Sequence, residues 1–116
     1  PMETMRSVQF LRKGAKIITN TYAMQPMSVS TGLARYPTQD EIDACLHGAA
    51  SEVVAYDATT MAVELGNVKV MNIILLGTLS KMLDVEYDKW VEAIKKYVPA
   101  KQQERNIKAF DAGRNL

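Results

Sequence analysis

The sequence predicts an α/β chain: a small parallel sheet with flanking helices, followed by a C-terminal half that is helical. Three observations carry this. Two short β-branched runs, Ala15–Thr21 and Ser51–Asp57, are separated by a loop and a helix, which is the rhythm of a parallel crossover. Everything after Asp57 has helical spacing only. Within it, Val68–Leu83 is apolar on nearly every face and reads as one central core helix.

Composition narrows the classes. The chain has 116 residues, 47% of them hydrophobic, enough for one core and at most one domain. Fourteen basic and thirteen acidic side chains leave a net charge of +1 with no block of like charge. No nucleic-acid partner is expected, because phosphate neutralisation needs a basic face. Cys45 is the only cysteine and His47 the only histidine. That excludes an internal disulfide and a cysteine-built metal or iron–sulfur site. Lys69, Asn72 and Lys81 interrupt the apolar helix, which also falls short of the roughly 20 apolar residues of a membrane span. No membrane partner is expected, and without a signal or transit pattern the expected compartment is cytoplasmic.

In chain order, Met2–Lys13 is expected as an amphipathic helix presenting Met5, Val8 and Leu11, with Gly14 as its stop. The first strand follows. Residues 22–37, punctuated by Pro26, Gly32 and Pro37, form the longest irregular stretch, leaving the carboxyl end of that strand where open α/β sheets bind ligands. Thr38 and Glu41 are spaced as a capping box, opening a helix with Ile42, Cys45, Leu46 and Ala49 inward. Cys45 is read as a small core residue rather than a nucleophile, and His47 as a solvated surface residue. After the second strand, Asp57 opens a helix to about Leu65; its role as a cap is preferred over ligand contact. Gly66-Asn67 separates this from the core helix, on which Met71, Ile74, Leu75, Leu79 and Met82 share a face. Tyr87–Tyr97 is a further helix with Trp90, Ile94 and Tyr97 or Val98 inward, stopped by Pro99. Lys101–Ala112 is a polar last helix that must dock its narrow face of Ile107 and Phe110, with Gly113 as terminator.

No motif carries catalysis. The six glycines form neither GxGxxG nor GxxxxGK, and no nucleophile elbow or His/Cys ligand pair is present. Two features do not fit a plain core helix: Asn72 in its middle, and the small-residue notch of Gly77, Thr78 and Ser80. A buried Asn must have its hydrogen bonds met, so internal bonding is the preferred reading for Asn72 and contact with a partner or ligand the other. Asn106 on the last helix poses the same question.

Glu64-Leu65-Gly66-Asn67 followed by Met71-Asn72-Ile73-Ile74-Leu75-Leu76-Gly77 resembles a segment of the 2-oxoacid:ferredoxin oxidoreductases, in their gamma subunit or domain. The chain is most similar to the beta-subunit branch of the indolepyruvate ferredoxin oxidoreductases. The likeness continues through Leu79-Ser80-Lys81, Glu92-Ala93-Ile94, Val98-Pro99 and Asn106 to Gly113. Upstream, Phe10 to Gly14, Asn20-Thr21, Pro26, Val29, Gly32, Tyr36-Pro37 and Val54 to Ala58 fall in the same order, so it covers essentially all of residues 1–116. Members of that family begin with a strand and a glycine-rich turn that have no counterpart here. The resemblance therefore implies the second half of a larger Rossmann-like domain.

The chemistry so implied is coenzyme A-dependent oxidative decarboxylation of a 2-oxoacid. Thiamine diphosphate and iron–sulfur clusters would be held by partner subunits, with ferredoxin as electron acceptor. For this chain the resemblance implies no catalytic, cofactor-binding or metal-ligating residue. It implies a scaffold for the catalytic subunit, inactive by itself and self-associating when isolated. Asn72, Asp57, Gly77 and Asn106 are the candidate interface or ligand-proximal residues. The other readings are a gamma subunit of a pyruvate or 2-oxoglutarate enzyme, and a free-standing binding or regulatory module built from the same half-domain.

Overall fold

A computed structural model describes residues 1–23, 30–32 and 34–116. The expected features at Pro26 and Val29 lie outside the described residues. The chain divides into two compact units, Pro1–Tyr56 and Asp57–Leu116. The α/β class is as expected: the described residues form one small parallel sheet and are otherwise mostly helical, consistent with part of a Rossmann-like domain.

In the first unit, helix α1 (Met2–Ser7) runs into a 3-10 turn at Val8–Phe10. The helix is shorter than the expected Met2–Lys13, because Leu11 is already extended and turns its side chain toward the core. Gly14 adopts φ +80°, a left-handed conformation that admits glycine at little cost, and the chain enters strand β1 (Lys16–Asn20). Helix α2 (Gln39–Ala49) starts on the expected capping box: the Thr38 hydroxyl accepts from the Glu41 N–H at 3.2 Å, and the Glu41 carboxylate accepts from the Thr38 N–H at 3.0 Å. Arg35 clamps the same carboxylate through both guanidinium nitrogens, at 2.6 and 3.1 Å. That bond, with the Thr38 N–H, holds the Glu41 carboxyl below its ordinary range.

Strand β2 (Glu52–Tyr56) pairs in parallel with β1, Lys16 opposite Glu52 through Asn20 opposite Tyr56. Ser51 extends the ladder by donating its N–H to the Ala15 carbonyl at 2.8 Å. Ile17, Ile42 and Leu46 are the buried core here, with Met5, Val8, Leu11, Tyr36, Ala50 and Val53 packed around them. His47 is exposed, as expected, whereas Cys45 is only half-buried and stands outside the cluster of Ile17, Ile42 and Leu46 rather than within the core.

The second unit is helical: α3 (Ala58–Glu64), a 3-10 turn at Val68–Val70, α4 (Met71–Ser80), α5 (Tyr87–Tyr97), a 3-10 turn at Ala100–Gln102, and α6 (Gln103–Arg114). The expected continuous helix over Val68–Leu83 is thus a 3-10 turn, a ten-residue α-helix and a trailing turn. Phe110 is fully buried, with the Trp90 ring 5.8 Å and the Tyr87 ring 6.0 Å from it. Ala58, Ala62, Val70, Ile74, Ile94 and Ala109 complete the core. Of the two inward candidates on α5, Tyr97 is 78% exposed, and Val98 takes the half-buried place.

Candidate functional site

The four candidate residues lie in different settings. Asp57 follows directly on β2 and caps α3. One carboxylate oxygen accepts from the Thr60 N–H at 2.9 Å, and the other from the Thr60 hydroxyl at 2.7 Å. Those two bonds hold the carboxyl below its ordinary range. Both oxygens serve the helix start, the arrangement that a cap requires.

Gly77 sits where α4 meets α6. A Cβ built on it would come well inside 3.0 Å of the Phe110 carbonyl oxygen, closer than real Cβ atoms approach. The reciprocal holds for Gly113, whose added Cβ would drive into the Ile74 carbonyl. Gly113 is therefore not the helix terminator expected from the sequence. It lies buried inside α6, which runs on to Arg114. Two glycines facing each other across a crossing let the backbones touch. The Thr78 hydroxyl then donates to the Gly113 carbonyl at 2.8 Å. The Ser80 hydroxyl donates to the Gly77 carbonyl at 2.6 Å and accepts from Arg114 at 2.9 Å. The small-residue notch thus has a packing role.

Asn72 departs from expectation. It is exposed, so it is not a buried amide seeking internal partners. The face of α4 turned to α6 carries Ile74, Gly77 and Thr78, and a residue at position 72 falls off that face. Its neighbours on the outer side are also open: Leu79 is 38% exposed, with Val68 and Leu83 more so.

Asn106 is half-buried and donates its side-chain N–H to the Gln102 carbonyl at 2.8 Å, back-bonding across one turn. It lines a groove of about 380 Å³ together with Asn67, Lys69, Val70, Tyr97 and Val98. The Asn67 carboxamide oxygen is already taken by the Lys69 N–H at 3.0 Å. Of the four candidates, Asn106 alone lines this groove.

Sequence reasoning missed a polar seam beside Phe110. The Tyr87 hydroxyl donates to Asp111 at 2.6 Å, and the Arg114 guanidinium lies 5.4 Å from the Tyr87 ring centre. The Asp111 bond, with burial, raises the tyrosine above its ordinary value, so it stays protonated at neutral pH and acts as a donor rather than a base. Spacing could have signalled the seam: Asp111 and Arg114 stand three apart on one helix face. Among the described residues, no group of three or more His, Cys, Asp or Glu could hold a metal ion, and no helix is long and apolar enough to cross a membrane.

Comparison with known proteins supplies what this geometry does not. Residues 1–116 match the family described as pyruvate ferredoxin/flavodoxin oxidoreductase. The chain is 37% identical over 118 aligned residues to indolepyruvate oxidoreductase subunit IorB of Pyrococcus horikoshii, covering 97% of this chain and 57% of that protein. It is 34% identical over 116 residues to the same-named subunit of Thermococcus kodakarensis, again covering 97% and 57%. For that of Archaeoglobus fulgidus the identity is 33% over 119 residues, covering 99% and 58%. The chain thus spans rather more than half the length of the curated relatives it matches. No solved structure matches it. The chain belongs to the pyruvate ferredoxin/flavodoxin oxidoreductase family.

Proposed function

We propose that this chain is part of a non-catalytic subunit of a 2-oxoacid:ferredoxin oxidoreductase acting on an aryl-pyruvate such as indolepyruvate. The observation that carries this is the family match over all of residues 1–116, joined to relatives whose names specify indolepyruvate oxidoreductase. On this reading the chain is the later part of a gamma-type domain and works in the cytoplasm. Its work is to hold the catalytic subunit. Thiamine diphosphate and iron–sulfur clusters reside in that partner, where coenzyme A and ferredoxin also engage. One cysteine cannot supply a cluster's thiolates, which supports the division of labour.

Asn72 is then an interface residue. Its support is its exposure between the open side chains of Val68 and Leu79, on the side of α4 turned away from α6. Gly77 supports the interface indirectly, by fixing α4 in place against α6; Asp57 and Asn106 remain its further candidates.

The test is to purify the chain alone and together with the proposed thiamine-binding partner subunit. Both preparations are assayed with 2-oxoacids, coenzyme A and a viologen dye. The pair is expected to turn over indolepyruvate in preference to pyruvate, and the chain alone to show neither turnover nor a melting shift with thiamine diphosphate. Turnover by the pure chain overturns the reading; a preference for pyruvate or 2-oxoglutarate moves it to the gamma-subunit alternative. Asn72→Leu is expected to leave the melt of the isolated chain unchanged and to weaken capture of the partner. Light scattering should find the isolated chain self-associated, because β2 carries no fully buried residue and parallel strands are normally covered on both faces. A sharp monomer peak with a cooperative melt contradicts that expectation.

A further inference from the structure

Within the second unit, Leu65, Lys101, Glu104, Arg105 and Lys108 line a cavity of about 260 Å³. Lys101, Arg105 and Lys108 recur at helical spacing, so three cations share one side of the α6 region. Glu104 is the one acid among the lining residues, and it is paired to Lys108 at 3.2 Å. Arg105 is half-buried, and its guanidinium rests against Gly66, whose φ of +94° turns the chain tightly there. Among the described residues Arg105 has no carboxylate partner within ion-pair distance. Its guanidinium makes one long polar contact, 3.5 Å to the Gln102 side-chain oxygen. A partly desolvated guanidinium with its fork unfilled is an incomplete electrostatic arrangement.

We propose that this cavity binds the phosphate group of a small phosphorylated molecule, with Arg105 as the bidentate donor and Lys101 and Lys108 as flanking charges. Size and charge select the ligand class. The volume lies just below the roughly 300 Å³ at which pockets for drug-sized ligands begin, so it takes a group rather than a whole cofactor. Three cations against one carboxylate leave a lining of net charge +2. A phosphate ester carries about −1.5 to −2 at neutral pH and matches that lining, whereas a single carboxylate leaves it half neutralised. The planar fork of Arg suits phosphate oxygens in a way that a lysine point charge does not. The site stands independently of the function proposed above.

Pyrophosphate is titrated into the 116-residue chain at constant ionic strength, followed by calorimetry and by backbone amide shifts. Saturable one-site binding is expected, with a Kd on the order of 1 mM or tighter and shifts centred on Leu65, Gly66 and Arg105. Arg105→Lys keeps the charge and is expected to weaken binding about tenfold or more, with an unchanged melt. Should that variant melt early, the exposed pair Lys101→Gln with Lys108→Gln carries the same expectation. Acetate is expected not to compete. Absence of saturation, equal shifts with sodium chloride or acetate, or undiminished binding by the variants would each overturn the proposal.

Discussion

The two units of this chain close their cores by different means. In Pro1–Tyr56, three buried apolar side chains gather half-buried neighbours around a two-stranded sheet, and no residue of β2 is fully buried. In Asp57–Leu116, two helices touch backbone to backbone at Gly77 and Gly113, and an aromatic cluster fills the space beside them. The first arrangement gives way in part at a changed contact, because side chains can adjust. The second does not, because a carbonyl oxygen on each helix occupies the place of the other's missing Cβ. The closest helix approach in the second unit therefore runs through residues with no side chain at all.

The largest effect expected follows from that contrast. Gly113→Ala should destabilise by about 3 kcal/mol or more, since relief requires moving a helix rather than a side chain. A thermal melt should show a loss of more than about 10 °C, and an unchanged melting temperature would mean that the two helices separate at little cost. Leu46→Ala probes the other unit. Truncating this fully buried residue should cost about 2–5 kcal/mol, depending on how far its neighbours collapse into the space. Native-state hydrogen exchange should find the amides of β1 and β2 opening at lower free energy than those of α4 and α6. Equal protection in both units would mean that the close helix crossing adds no local stability.

Tyr87→Phe should be milder. It removes one hydrogen bond to Asp111 while keeping the ring packed on Phe110, at about 1 kcal/mol. Because the bond raises the tyrosine above its ordinary value, its stabilisation is complete below that value and fades as pH climbs through the raised one. Wild-type and variant melts should therefore converge in strong alkali. The smallest effect belongs to Asp57. Its carboxyl is held low by the Thr60 N–H and hydroxyl, so its contribution is present above the ordinary aspartate range and is lost as pH falls through the depressed value. Asp57→Ala should lower the melt slightly at neutral pH and not at all in strong acid. Asp57→Asn, itself a good cap, should sit close to wild type.

The sequence by itself determined the local elements. The two strands, the Thr38 and Glu41 capping box, the Asp57 cap and the bounds of α5 are all set by neighbours a few residues apart. β-branched runs, turn glycines and cap spacing act at that range and leave a readable trace. Only the tertiary structure decided which side of α4 faces inward. That helix is apolar nearly all round, so its periodicity names no buried face; the closest backbone approach chose Ile74, Gly77 and Thr78 and left Asn72 and Leu79 outside. The same approach turned Gly113 from an apparent helix end into a contact point. A glycine's sequence context speaks of conformational freedom, whereas the use of Gly113 at the crossing depends on Ile74, thirty-nine positions away. Burial beside a distant partner is a property of the assembled helices, and no local pattern encodes it.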